Sequence, residues 1–192
     1  MKLLITDILN YSRLSAKNIV FTKTDLNALL NETLEDLEFT IRERSAIIEV
    51  GDFPETEVIA GQIRQVFQNL VSNALKFSKP GVVPKVSITG KRVAWKAFDQ
   101  DETPDGDFLE IRIRDNGIGF DNQFSANLFN LFQRLHSKDK FEGTGIGLAI
   151  TKKIIDKHNG IIRAYSEEGA GAEFTIVLPV HRDYEKNNNY GA

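Results

Sequence analysis

Apolar residues recur at helical spacing in four parts of the chain. These parts are residues 1–16, 26–41, 62–77 and 146–159. We expect Thr24 to cap the second helix, with Asp25 in its first turn, where the helix dipole favours a negative charge. The fourth helix is expected to end at Asn159-Gly160, with His158 as a cation in its last turn. The spacing thus predicts three helices in the main body of the chain and one helical segment before it.

Between these helices the pattern changes to the two-residue period of strands. The alternation is clearest where Leu109, Ile111 and Ile113 are separated by charged residues. The strands expected on this basis are residues 46–50, 57–59, 82–98, 108–114, 161–165 and 172–178. Helices combined with antiparallel strands predict an α/β two-layer sandwich, in which a mixed, mainly antiparallel sheet packs against three helices.

Composition excludes several classes of function. The 192 residues are 41% hydrophobic and 27% charged with a formal net charge of −3, so no whole-chain basic surface exists for nucleic acid. The absence of cysteine excludes disulfides, thiolate zinc sites and cysteine nucleophiles, and the 3 histidines lack metal-ligand spacing. With no apolar run of membrane-spanning length, we expect a cytoplasmic protein that does not insert into a membrane.

The chain divides into four parts. Residues 1–16 are interpreted as the end of a helix whose remainder is absent, with a loosely docked N-terminal helix of the same domain as the alternative. A polar linker is expected over 17–24, the main domain over 25–181, and a disordered Asn-rich tail over 182–192.

A polar row lies beside the apolar stripe of the third helix. Asn69, Asn73 and Lys76 are centred roughly 120° from that stripe at about 100° per residue. Amide oxygens can ligate a hard cation, and an ammonium can meet a phosphate. A solvated helix edge is the alternative reading of this row.

Two glycine-containing segments follow. In Asp115-Asn-Gly117-Ile-Gly119-Phe, a carboxylate at a strand end precedes glycines that let backbone approach a flat ligand, although a plain turn has the same chemistry. In Gly143-Thr144-Gly145-Ile146-Gly147-Leu148, glycines open a helix, which is a candidate phosphate cradle. Each segment alone is a weak signal. The polar row of the third helix followed by these two glycine segments, in this order, is a much more specific pattern.

These segments resemble the catalytic and ATP-binding domain of sensor histidine kinases, whose superfamily includes gyrase, the mismatch-repair MutL proteins and a heat-shock chaperone. Asn69-Leu-Val-Ser-Asn73-Ala-Leu-Lys76-Phe resembles the N box, Asp115–Phe120 the first glycine box, and Gly143–Ile150 the second. Asn127-Leu-Phe-Asn-Leu-Phe-Gln-Arg134 resembles the F box, and the segment Phe132–Gly147 is most similar to bacteriophytochrome-like kinases. The resemblance implies a Bergerat fold over about 25–179 with a mobile ATP lid at about 121–142, and it makes residues 1–16 the end of a dimerisation helix.

The resemblance also implies roles for single residues. Asp115 would meet the adenine amine, Asn73 would hold Mg²⁺ with Asn69 nearby, and Lys76 would contact phosphate oxygens. Arg134 would approach the γ-phosphate. Gly117 and Gly119 would shape the adenine pocket, while the second box would bind nucleotide through Gly143, Thr144, Gly145, Ile146, Gly147 and Leu148.

One position favours phosphoryl transfer over hydrolysis. In the superfamily's hydrolytic members a glutamate matches Asn69, and an amide cannot act as a general base at neutral pH. The expected function is therefore transfer of the γ-phosphoryl group of ATP-Mg²⁺ to a histidine, with Asn69, Lys76 and Arg134 as catalytic residues. A response regulator is the expected partner downstream of this step.

None of His136, His158 and His181 has the setting of the family's acceptor, so that histidine is expected on a dimerisation domain outside this chain. The chain is then a fragment of a longer kinase or acts on a partner in trans. A Bergerat-fold ATPase and a non-catalytic ATP-binding or interaction domain are the alternatives.

Overall fold

The structure is a computed structural model that describes residues 20–98, 106–133 and 143–181. Its α-helices are α1 (Leu26–Asp36), α2 (Glu38–Glu43), α3 (Ala60–Lys76) and α4 (Gly147–Lys157). Its strands are β1 (Thr22–Thr24), β2 (Ile47–Val50), β3 (Thr56–Val58), β4 (Lys85–Val93), β5 (Phe108–Asp115), β6 (Ile161–Glu167) and β7 (Gly171–Pro179). A short 3-10 helix spans Asn122–Asn127. The expectations for residues 1–16, the tail 182–192 and Arg134 lie outside the described residues.

The predicted two-layer α/β sandwich is confirmed. Five strands form a sheet in the order β2-β4-β5-β7-β6, in which β2 and β4 are parallel and the other neighbours are antiparallel. Strand β5 is central because Ile111 pairs with Gly90 on one side and Ile176 on the other. One buried cluster joins the sheet to α1, α3 and α4. In the described ranges, no helix has the length and apolar character needed to cross a bilayer.

The sandwich buries one face of α3 and leaves its polar row beside that face. Its buried residues are Ile63, Val66, Phe67, Leu70, Val71, Ala74 and Leu75. At the C-terminal end, Arg44 donates a hydrogen bond through Nη1 to the carbonyl of Leu75 at 2.8 Å. This guanidinium satisfies one of the carbonyls that a helix end leaves without an intrahelical partner.

The N-terminal boundary of the domain differs from the prediction. Thr24 is not the cap of α1, because Asp25 accepts hydrogen bonds from the N–H groups of Asn27 (2.8 Å) and Ala28 (3.3 Å). Thr24 instead ends β1, which pairs antiparallel with β3, so residues 22–24 of the expected linker are part of a two-stranded sheet. The apolar stripe that continues to Ile41 is divided between two helices that meet at Leu37.

His158 is not the solvated cation that its place in the last helical turn suggested. The residue is 3% exposed, its Nε2 accepts the N–H of Ile59 at 3.0 Å, and its Nδ1 lies 2.8 Å from the carbonyl of Ile154. Accepting from a backbone N–H requires a lone pair on Nε2, so the ring is neutral and its proton is on Nδ1. His158 therefore joins the end of α4 to the start of α3.

Strand β4 is shorter than expected, because it covers Lys85–Val93 rather than 82–98. In the segment that resembles the F box, Phe129 packs against the core, whereas Phe132 is 57% exposed.

Candidate functional site

A cleft of about 290 Å³ opens between α3, the end of β5 and the start of α4. Its polar lining includes Asn69, Asn73, Lys76, Asp115 and Thr144. Its apolar lining is made by Ala74, Phe77, Phe120, Leu128, Leu148, Ile150, Ala172 and Phe174. The three segments singled out in the sequence, which lie up to 80 residues apart, therefore meet around one cavity.

Asp115 provides a carboxylate at one end of this cleft. Its Oδ1 accepts hydrogen bonds from the N–H groups of Gly117 (2.8 Å) and Ala172 (3.2 Å), whereas Oδ2 has no hydrogen bond with the described residues. Burial raises the pKa of this carboxyl above its ordinary value of 3.8, against the opposing effect of the two backbone donors and of Lys79. The side chain is thus held through one oxygen, and the other can accept a hydrogen bond from a ligand.

The two glycines of the first glycine box lie too close to neighbouring backbone for either to carry a side chain. A Cβ on Gly117 would lie 2.5 Å from the carbonyl oxygen of Phe77, which also accepts the N–H of Ile118 at 2.9 Å. Gly119 has φ +65° and lines the cleft, and a Cβ there would lie 2.1 Å from the carbonyl oxygen of Glu167. Gly117 is not part of the lining, so it shapes the pocket by letting the turn lie against the end of α3.

The polar row of α3 faces the cleft, and one of its members also contacts α4. The amide nitrogen of Asn69 donates to the carbonyl of Gly147 (3.0 Å) and to the hydroxyl of Thr151 (3.3 Å). The hydroxyl of Thr151 donates its own proton to the carbonyl of Gly147, so its oxygen can only accept from Asn69. Because the carbonyl and the hydroxyl are both acceptors, the amide nitrogen of Asn69, and not its oxygen, faces them. The Oδ1 atoms of Asn69 and Asn73 make no hydrogen bond with the described residues and remain available as hard oxygen donors.

Lys76 brings a positive charge to the row. Its Nζ lies 4.5 Å from the centroid of the Phe77 ring and close to Gly143, where an added Cβ would be 2.8 Å from Nζ. This packing places the Lys76 ammonium beside Gly143, the first residue of the second glycine box. The ammonium is therefore held between the end of α3 and that box.

The N-terminus of α4 opens on the same cavity. No side chain caps this helix, and the first intrahelical hydrogen bond described at this end runs from the Ile150 N–H to the Ile146 carbonyl. Gly147 and Leu148, which line the cleft, therefore have backbone N–H groups without an intrahelical acceptor. These N–H groups can donate hydrogen bonds to an anion, and the helix dipole favours a negative charge at this end.

Ile146 does not line the cleft. It is fully buried, and its N–H points to the hydroxyl of Thr144 at 3.4 Å. The residues of the second box that line the cavity are Gly143, Thr144, Gly145, Gly147, Leu148 and Ile150.

Several lining residues were missed by reasoning from the sequence. Gln65 lies one turn before Asn69 on the same polar row, which is a signal that the helical spacing contains. Ala172 and Phe174 come from β7, and no local pattern indicates that this strand reaches the cavity. The described residues contain no cluster of three or more His, Cys, Asp or Glu suited to a metal ion.

Comparisons with known proteins agree with this architecture. The family described as histidine kinase-, DNA gyrase B-, and HSP90-like ATPase matches residues 59–182. Phytochrome-like protein Cph1 of Synechocystis sp. is 39% identical over 180 residues, which are 94% of this chain and 22% of Cph1. Sensor protein kinase WalK of Staphylococcus haemolyticus is 32% identical over 181 residues, which are 92% of this chain and 28% of WalK.

Among solved structures, full-length ShkA in complex with AMPPNP superposes with a TM-score of 0.74 at 25% identity, covering 94% of this chain and 36% of ShkA. The chain spans less than a third of the length of the two curated relatives named above. It belongs to the histidine kinase-, DNA gyrase B- and HSP90-like ATPase family, and the relatives named above include a phytochrome-like protein and a sensor protein kinase.

Proposed function

We propose that this chain is the ATP-binding catalytic domain of a sensor histidine kinase and transfers the γ-phosphoryl group of ATP to a histidine of a dimerisation domain. The observation that carries the proposal is the polarity of the cleft. One end has a half-buried carboxylate with one oxygen that makes no hydrogen bond to the described residues, and the other has an uncapped helix N-terminus beside an ammonium.

The Asp115 end fits an adenine ring. The Oδ2 atom would accept a hydrogen bond from the 6-amino group, and burial strengthens such a bond because little water competes for the oxygen. Apolar side chains that include Ala74, Ile150 and Phe174 line the cleft and suit the faces of a flat base.

The opposite end fits the phosphates. The backbone N–H groups of Gly147 and Leu148 would donate to phosphate oxygens, and the ammonium of Lys76 would neutralise part of their charge. Asn73, with Asn69 beside it, would hold Mg²⁺ through amide oxygens, in keeping with the preference of this ion for oxygen ligands and substrate phosphates. When bound, Mg²⁺ supplies charge neutralisation between the phosphates.

Transfer to an external nucleophile is favoured over hydrolysis. Among the described residues that line the cleft, Asp115 is the one carboxylate, and it belongs to the base-binding end. Asn69, which lies near the start of α4, has no proton-accepting function at neutral pH. The site therefore works by positioning and by charge stabilisation, with the nucleophile supplied from outside.

The remaining parts of the proposal follow from this chemistry. The acceptor histidine is placed on a dimerisation domain, in the same polypeptide or in trans, and a response regulator receives the phosphoryl group afterwards. We place the reaction in the cytoplasm, where ATP is available.

The proposal is tested by incubating the chain with radiolabelled ATP, Mg²⁺ and a separately produced histidine-bearing dimerisation domain. The expected product is label on that domain that is labile in acid and stable in base, and it is absent when the acceptor histidine is replaced by glutamine. Phosphate release without protein labelling would favour an ATPase. Failure of the folded chain to bind ATP at millimolar concentration would favour a non-catalytic domain.

A further inference from the structure

The turn between β6 and β7 forms a wall behind the first glycine box. The N–H of Gly169 donates to the carbonyl of Ile118 at 2.7 Å. The contact between Gly119 and the backbone of Glu167 is so close that a Cβ would overlap it. The position of the glycine box is therefore set by a hairpin that lies about 50 residues further along the chain.

Ser166 connects these two segments from a buried position. It is 3% exposed and does not line the cleft. Its hydroxyl oxygen accepts the N–H of Phe120 at 2.9 Å, and its proton is donated to the carbonyl of Gly171 at 2.6 Å. The hydroxyl thus acts as donor and acceptor between two walls of the cavity.

The carbonyl that Ser166 holds belongs to the same planar peptide group as the N–H of Ala172. That N–H donates to Oδ1 of Asp115 at 3.2 Å. Rotation of this peptide group is therefore restrained at its carbonyl by Ser166 and at its N–H by Asp115. A hydrogen-bonded chain runs from Phe120 through Ser166 and this peptide group to the carboxylate, and each bond in such a chain polarises the next.

We infer that Ser166 is a positioning residue that sets the base selectivity of the cleft, an inference that rests on the proposed binding of ATP. By fixing the donor to Oδ1, Ser166 fixes the direction in which Oδ2 of Asp115 faces the 6-position of a purine. A 6-amino group donates to that oxygen, whereas the 6-oxo group of inosine places one acceptor against another. Without the serine hydroxyl, the carboxylate is free to turn, and the distinction between these bases weakens.

The test compares the affinities of ATP-Mg²⁺ and ITP-Mg²⁺ for the wild-type chain and for Ser166→Ala by calorimetry. Losing one buried hydrogen-bond partner is expected to weaken ATP binding about tenfold. ITP binding is expected to change little, so the preference for ATP falls by about the same factor. Ser166→Cys, which keeps the volume with a poor donor, provides a second variant and is expected to change the preference in the same direction.

Thr33→Val is the matched control, because Thr33 is also fully buried and its hydroxyl donates to a carbonyl, that of Leu29, away from the cleft. The preference for ATP is expected to remain at the wild-type value in this control. Ser166 variants that stay folded and keep the wild-type preference, or that lose both nucleotides equally, would overturn the positioning role. A wild-type chain that binds neither nucleotide would overturn the proposed function together with this inference.

Discussion

Replacing Asp115 by asparagine is expected to weaken the binding of ATP-Mg²⁺ without lowering the free energy of unfolding. Asparagine keeps an oxygen that can accept from the N–H groups of Gly117 and Ala172, so the backbone conformation of the turn is expected to stay the same. Its amide nitrogen then takes the place of Oδ2 and points a donor at the 6-amino group. Losing a hydrogen bond to a charged group costs about 1.5–3 kcal/mol, so the Kd for ATP-Mg²⁺ is expected to rise roughly 10- to 150-fold.

The stability of the nucleotide-free domain is expected to move in the opposite direction. Because burial raises the pKa of Asp115 in the folded state, the ionised carboxylate opposes folding at neutral pH. This cost is absent below the ordinary pKa of 3.8 and grows as the pH rises through the raised pKa of the folded state. Asp115→Asn is therefore expected to be at least as stable as the wild type at pH 7, with a stability difference that shrinks towards pH 4.

Calorimetric titration measures the affinity, and urea unfolding at several pH values measures the stability. Asp52→Asn is the control, because it removes the same charge from an exposed position in the segment between β2 and β3. Wild-type affinity in Asp115→Asn would refute the assignment of the carboxylate to the base. A large loss of stability at pH 7 would show that the ionised carboxylate of Asp115 does not oppose folding.

Three further changes test other parts of the structure. Gly119→Ala places alanine at φ +65° and its Cβ against the backbone of Glu167, so the free energy of unfolding in urea is expected to fall by roughly 3 kcal/mol. Gly81→Ala is the control, because φ is +72° there but the added Cβ meets no neighbouring atom, and a loss of about 1 kcal/mol is expected. Because the proposed function places the Lys76 ammonium against the phosphates, Lys76→Ala is expected to weaken ATP binding by about tenfold or more and to leave adenosine binding unchanged. Equal losses of ATP and adenosine affinity by calorimetry would contradict that placement. His158→Leu leaves the N–H of Ile59 without its acceptor, whereas the carbonyl of Ile154 keeps the backbone N–H of residue 158, so a loss of roughly 1–3 kcal/mol is expected in urea unfolding. Nitrogen NMR of the wild type is expected to show the Nδ1-protonated neutral ring, and a charged ring would contradict the hydrogen-bond assignment.

The parts of the site that are contiguous in sequence were predictable. The row of Asn69, Asn73 and Lys76 follows from helical periodicity, and a carboxylate before two glycines is recognisable as a special turn at a strand end. These features depend on residues a few positions apart, so local spacing contains most of the information.

The parts that depend on distant pairing were not predictable. Ser166 carries no local signal, because its role depends on β6 and β7 folding back behind the glycine box. His158 looks like a helix-end cation until α3 is brought to its Nε2. The cap moved from Thr24 to Asp25 because Thr24 pairs with Thr56 in a strand, so a tertiary contact outweighed a capping preference.

The proposed function requires one cleft to bind the base at Asp115 and the phosphates at the start of α4. Titration of the nitrogen-labelled chain with ATP-Mg²⁺, followed through backbone amide resonances, shows whether both ends bind the same nucleotide. The amides of Gly117 and Ala172, which donate to Asp115, and those of Gly147 and Leu148 are expected to shift together with one Kd, while adenosine shifts the first pair alone. Shifts confined to one pair under ATP-Mg²⁺, or two different Kd values for the two pairs, would show that base and phosphates do not bind together in this cleft.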